Sequence, residues 1–310
     1  MTTRQTILTS DPAEAAAIIR GGGLVAFGTE TVYGLGADAT NAEAVAGVFA
    51  AKGRPSFDPL IVHLSDASEL PRVVREWPAA AESLATTFWP GPLTIVAPKQ
   101  PIVPDLVTSG LPDVAVRVPA SETARTMIRL AGVPVAAPSA NLFGRVSPTT
   151  AGHVLDQLDG RIDAVLDGGP CGVGVESTVV RFGGVTREQL EAVVGSVRVA
   201  ADDERGEMQT HGSPGRLPSH YSPGVPVLLG DLTNATAGDG LLSFGRASDD
   251  WPGPVFVLSE RGDLHEAAAR LFAGLRSLAA AGVARIRVDP IPDKGLGAAI
   301  NDRLRRSANA

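Results

Sequence analysis

The chain of 310 residues contains one cysteine, Cys171, which excludes an internal disulfide framework and a cysteine-rich zinc site. Its thiol reads as a small buried or loop residue rather than a nucleophile. No apolar run approaches the roughly 20 residues needed to span a bilayer. The N-terminus, MTTRQTILTSDPAEAAA, lacks the long apolar core of a signal peptide. Both absences lead to the expectation of a soluble, cytoplasmic globule. An excess of cations is missing too. With 27 basic and 34 acidic residues the net charge is −7, which argues against broad electrostatic adhesion to nucleic acid but leaves room for a local basic cleft.

Several familiar signatures are absent. There is no G-x-x-x-x-G-K-[ST] loop and no G-x-S-x-G elbow. The five histidines show no metal spacing such as H-x-x-x-H. One G-x-G-x-x-A, Gly34 to Ala39, follows a strand and reads as turn chemistry better than as a dinucleotide fingerprint. Aromatics make up only 5%, whereas glycine (35) and proline (24) are plentiful, so many turns should connect short elements.

What is present reads as α/β. A content of 44% hydrophobic and 20% charged residues can bury a core, and the length suits one large domain or two ordinary ones. Asp11-Pro12 starts a short helix that ends at Gly21-Gly22-Gly23. Asn41 caps a second helix, with Ala44, Val45, Val48 and Phe49 on one face, and Gly53 ends it. Lys52 then lies in its last turn and Arg54 just beyond its cap. Strands are expected at LVAFGTETV and at residues 59–64, 92–98, 113–119, 133–138, 163–169 and 176–182. Period two sets Arg117 opposite the valines of DVAVRVP, and it aligns Ser177, Val179 and Arg181 on one face. Residues 201–224 turn polar and rich in Gly and Pro, a linker by composition, yet they hold His211, His220 and Tyr221. Three expected strands, a helix at 263–281, a strand VARIRVDPI and a final helix AAINDRLRRSA follow. The expected division is therefore 1–200, a linker or lid at 201–224, and a small α/β domain at 225–310.

Small polar and cationic residues gather at the strand ends: GTETVYGLG (28–36), KGRP (52–55), Arg117, PSANLFGRVSPT (138–149) and GVESTVVR (174–181). Hydroxyls, amides and cations without a nucleophile–base pair suit the binding of phosphates and carboxylates rather than acyl-enzyme chemistry. Each such group alone also fits a solvated surface or a satisfied turn.

In their order along the chain these motifs resemble the YrdC-type threonylcarbamoyl-AMP synthases, in the long form with an extra C-terminal domain. The matching segments are GTETVYGLGADA, KGRPSFDPLIVHL, FWPGPLTIV, VAVRVP, PVAAPSANLFGRVSPT, GVESTVV, SPGRLPSHYSPGVPV and GLGAAINDRLRR. The family's K-x-R…S-x-N set corresponds to Lys52, Arg54, Ser139 and Asn141. The resemblance implies a twisted mixed open sheet enclosing a basic cavity, with a small Rossmann-like C-terminal domain. It implies synthesis of threonylcarbamoyl-AMP and pyrophosphate from L-threonine, bicarbonate and ATP, with magnesium carried mainly by ATP and water. The product would pass to a tRNA threonylcarbamoyltransferase complex. By the same resemblance Lys52, Arg54, Ser139 and Asn141 are catalytic and hold ATP, together with Ser147 and Arg181. Thr31, His63, Arg117 and Ser177 surround threonine, and His220-Tyr221 form a lid. The sequence departs from the family pattern in two places. Gly28 replaces the usual proline, which would loosen the start of its loop, and the segment after Val180 is shortened. Two other readings compete: a related carbamoyl-transfer enzyme, and a non-catalytic module that binds nucleotide or, weakly, RNA.

Overall fold

The computed structural model describes residues 5–56, 58–179, 183–197, 220–246 and 250–310. Two sheets organise them. The first has eight strands: β1 (Ile7–Thr9), β2 (Val25–Gly28), β3 (Tyr33–Asp38), β4 (Ile61–His63), β5 (Ile95–Pro98), β6 (Asp113–Arg117), β7 (Val135–Ala137) and β8 (Ala164–Leu166). Their spatial order is β1-β8-β2-β3-β7-β4-β6-β5. Pairs β1/β8, β2/β8 and β4/β6 are parallel and the others antiparallel, so the sheet is mixed. The second sheet has four parallel strands, β9 (Val227–Leu229), β10 (Asp239–Phe244), β11 (Val255–Ser259) and β12 (Arg285–Val288), ordered β11-β10-β12-β9.

Local chemistry accounts for the helix that leads to the site. Asn41 accepts hydrogen bonds from the amides of Glu43 and Ala44, which opens Ala42–Lys52. Gly53 closes it in the left-handed region, φ +61°, where a side chain would be strained. Ala44, Val45, Val48 and Phe49 are buried against the sheet. The chain therefore leaves the helix at Lys52 and turns through Arg54 toward β4.

Two strand expectations change. The strand expected at LVAFGTETV stops at Gly28: residues 29–32 form a tight turn, and β3, which was not expected, follows it. Glycine depletes strands in general, but Gly36 makes room for its neighbours, since a Cβ there would lie 2.7 Å from both Phe27 and Val135. The G-x-G-x-x-A run is thus sheet packing. The second change is at 176–182, where residues 176–179 form no strand beyond an isolated bridge between Thr178 and Leu93. Thr178 instead folds the chain back on itself: its hydroxyl donates to the Val185 carbonyl (2.5 Å) and accepts from the Val185 amide (2.9 Å). Residues 180–182, and with them the place of Arg181 on the expected face, lie outside the described residues. Gly28 is likewise not a loosened position. It is the last residue of β2, buried, and a Cβ there would lie 3.0 Å from the Tyr33 ring.

The C-terminal part packs against the loops of the first sheet through a helix. Val32, Val146 and Val175 share an apolar cluster with Leu271, Phe272 and Leu275 of helix Leu264–Ala280. At Gly174, φ +74°, a Cβ would meet the Ala269 Cα at 2.3 Å, so loop and helix touch backbone to backbone.

Candidate active site

A cleft opens where the ends of β2, β4, β6 and β7 meet the loop 174–178 and the pair His220-Tyr221. Thr31, His63, Arg117 and Ser177 line it, and so do Arg54 and Ser139.

The turn after β2 is held by Thr29. Its hydroxyl donates to the Val32 carbonyl (2.7 Å) and accepts from the Thr31 amide (3.1 Å). This fixes Thr31, whose hydroxyl accepts from Arg117 at 3.0 Å. Arg117 sits at the end of β6, 3% exposed, with Nε donating to the Gly91 carbonyl (3.2 Å). Its other terminal nitrogen is 2.7 Å from the Glu30 carboxylate. A cation this buried needs such a partner, and removing one member of a buried pair typically costs about 3–5 kcal/mol. His63, at the end of β4, has Nδ1 3.1 Å from the Ile61 carbonyl. A carbonyl only accepts, so Nδ1 carries the proton. Burial, and then the Arg117 charge, lower the imidazole to about 3, which keeps it neutral near pH 7. Ser177 exchanges a 2.8 Å hydrogen bond with Thr94.

The K-x-R…S-x-N set divides into wall and support. Arg54 and Ser139 face the cleft. Arg54 is paired with Asp58 at 2.8 Å and donates to the carbonyls of Asp58 (3.2 Å) and Pro59 (3.0 Å). Burial lowers its affinity for a proton. Lys52 is 2% exposed and stands behind the wall. Its ammonium donates to the carbonyls of Ser139 and Asn141. Burial, then repulsion from Arg54, lowers its pKa well below the ordinary lysine range. Lys52 therefore grips the backbone of the S-x-N loop rather than projecting into the cleft as a point charge. Asn141 also shapes this loop, its amide donating to the carbonyls of Leu142 (2.7 Å) and Arg145 (3.0 Å). Ser147 is fully buried and donates to Glu176 at 2.8 Å, so it too lies behind the wall. Arg181 lies outside the described residues, as does His211.

His220 and Tyr221 close one side of the cleft, 5% and 1% exposed. Their rings meet edge to face at 4.2 Å, and Tyr221 stacks on Phe272 at 5.4 Å. Tyr221 has φ +66°, an uncommon conformation outside glycine.

Sequence reasoning missed three carboxylates: Glu30 and Asp58, which pair with Arg117 and Arg54, and Glu176, which accepts from Ser147. Each lies inside a quoted motif. The available signal was charge balance, because buried cations at strand ends require buried anions nearby.

Two family models match the chain. A family model described as Sua5/YciO/YrdC, telomere recombination, matches residues 17–191. A second, described as threonylcarbamoyl-AMP synthase, C-terminal domain, matches residues 185–309. The threonylcarbamoyl-AMP synthase of Bacillus subtilis is 42% identical over 330 residues, covering 97% of this chain and 94% of that one. That of Pyrococcus abyssi is 40% identical over 320 residues, covering 95% and 93%. The crystal structure of P. abyssi Sua5 complexed with L-threonine superimposes with a TM-score of 0.89 at 37% identity, covering 98% of this chain and 97% of that one.

Proposed function

The chain belongs to the threonylcarbamoyl-AMP synthase family, and on that premise we propose that it makes threonylcarbamoyl-AMP and pyrophosphate from L-threonine, bicarbonate and ATP. The observation that carries this reading is the single cleft in which the amino-acid-side residues Thr31, His63, Arg117 and Ser177 meet Arg54 and Ser139 of the nucleotide side.

The reaction needs two substrates held together and charge neutralised, not a covalent enzyme intermediate. Threonine's amine forms an N–C bond to CO2 with loss of a proton, or to bicarbonate with loss of water, and becomes a carbamate. A carbamate oxygen then attacks the α-phosphorus of ATP, a new P–O bond forms, and the bond to pyrophosphate breaks. Arg117, held by Glu30 and Thr31, is the partner for the threonine carboxylate. Neutral His63 offers a wall that adds no charge beside Arg117. Arg54, held by Asp58 and Pro59 through Nε and Nη2, offers its Nη1 to a phosphate oxygen, and Lys52 and Asn141 act on ATP by setting the backbone around Ser139. His220 and Tyr221 close the cleft and shield the labile product from water.

Magnesium enters with ATP. The carboxylate on the described wall, Glu176, already accepts from Ser147 and Arg303, and no cluster of three or more acidic, His or Cys ligands occurs among the described residues. These donors do not fit a protein-held ion. The product would go to a tRNA threonylcarbamoyltransferase complex in the cytoplasm.

Amino-acid selectivity tests the reading. Pyrophosphate release from ATP should require threonine, respond weakly to serine and fail with alanine. Equal release with alanine, or release driven by carbamoyl phosphate instead of threonine and bicarbonate, would assign the site to the related carbamoyl-transfer chemistry. Salt-sensitive RNA affinity without pyrophosphate release would assign it to a binding module.

A further inference from the structure

Glu176 stands on the wall of the cleft, yet both of its oxygens are engaged from behind. One accepts from the Ser147 hydroxyl at 2.8 Å. The other accepts from Arg303 Nε at 3.0 Å. Arg303 comes from the far end of the chain, on helix Leu296–Ala308, and is fully buried. Asp302 pairs with a second nitrogen of the same guanidinium at 2.9 Å. The same helix end grips the lid. The Ser307 hydroxyl donates to the Tyr221 carbonyl (3.0 Å), and the His220 amide donates to the Arg306 carbonyl (3.3 Å). The Arg303 guanidinium carbon is 5.9 Å from the Tyr221 ring centre. One helix turn therefore holds both a wall residue and the lid pair.

Adhesion between the two sheets does not need this charge. Val32, Val146 and Val175 already pack on Phe272 and Leu275. Burying an ion pair is often no better for stability than a hydrophobic contact of the same volume, because desolvation opposes the attraction. What a buried guanidinium adds is direction: it fixes the carboxylate, and with it the loop that carries Ser177. We propose that Arg303 is a positioning residue through which the C-terminal domain sets the geometry of the cleft wall and the lid. This rests on the synthase reading above.

The test uses the full-length chain with Arg303→Lys, Arg303→Gln and the double variant Arg303→Gln/Glu176→Gln. The double variant removes both charges and so avoids leaving a buried carboxylate unpaired if the single variant fails to fold. A misplacement of about 1 Å in a site can lower turnover roughly a hundredfold. Folded Arg303→Gln and the double variant should lose kcat on that scale with little change in KM for ATP. They should also release more pyrophosphate than threonylcarbamoyl-AMP, because a loosened lid admits water. Arg303→Lys should recover part of both. Hydrogen exchange at the Ser222 amide, bonded to the Gly144 carbonyl at 2.8 Å, should be faster in the variants than in the native chain. Native kcat with a one-to-one product ratio in a folded variant would overturn the proposal. If the native chain itself shows no turnover, the synthase reading falls, and exchange at Ser222 still decides the positioning role: unchanged exchange overturns it.

Discussion

Lys52 shows how a charge can serve a site it does not enter. Its ammonium reaches two backbone carbonyls of the S-x-N loop, 87 and 89 residues further along the chain. Replacing it with alanine leaves those acceptors without their donor, at a cost of about 1–3 kcal/mol for a buried group. Lys52→Ala should therefore keep the native circular dichroism but raise the ATP dissociation constant by about tenfold or more, tenfold being about 1.4 kcal/mol. Calorimetric titration with ATP checks this, and unchanged affinity would remove Lys52 from the nucleotide side.

His63 gives a pH signature at the same scale. Its folded-state value is lowered to about 3, mainly by burial, whereas an unfolded imidazole titrates near about 6.5. The unfolded chain therefore takes up the proton first. The stability that His63 contributes is fully present above about pH 6.5 and is lost as pH falls toward about 3. His63→Asn should show a shallower decline of melting temperature across that window than the native protein. Parallel curves would mean that His63 is not held neutral.

At the scale of elements, the contact of loop 174–178 with helix Leu264–Ala280 depends on the absence of a side chain. Gly174→Ala would place a Cβ 2.3 Å from the Ala269 Cα in a left-handed conformation. Overpacking of this kind costs about 1–3 kcal/mol and moves backbone. The variant should melt several degrees lower and lose turnover together with stability, measured by calorimetry and pyrophosphate release. Native melting would show that the two elements are not in close contact.

The helix Ala42–Lys52 and the strands that carry His63 and Arg117 were legible in the sequence because caps and alternation are local signals. The aim of Lys52 was not, since its partners are backbone atoms that no sequence pattern marks. β3 was hidden because its glycines read as a turn, whereas they clear space for Phe27 and Val135 across the sheet. Residues 176–179 carry a strand-like alternation, but Thr178 turns the chain back through its bonds to Val185. Arg303 lay in plain view in AAINDRLRR, an amphipathic helix whose charged residues normally face solvent. Only the packing of that helix against Tyr221 and Glu176 shows one of them facing inward.

The whole molecule combines an eight-stranded mixed sheet, a cleft at its strand ends and a C-terminal domain packed against the loops that wall the cleft. The central claim is that threonine, bicarbonate and ATP react together in that cleft. The most direct measurement is mass spectrometry of the products formed from ATP, magnesium, threonine and 13C-bicarbonate, with each substrate omitted in turn. The expected product is threonylcarbamoyl-AMP carrying one 13C in its carbamoyl group, formed only when all three substrates are present and matched by pyrophosphate. An adenylate of threonine without the labelled carbon, or no adenylate from a folded protein that binds ATP, would contradict it.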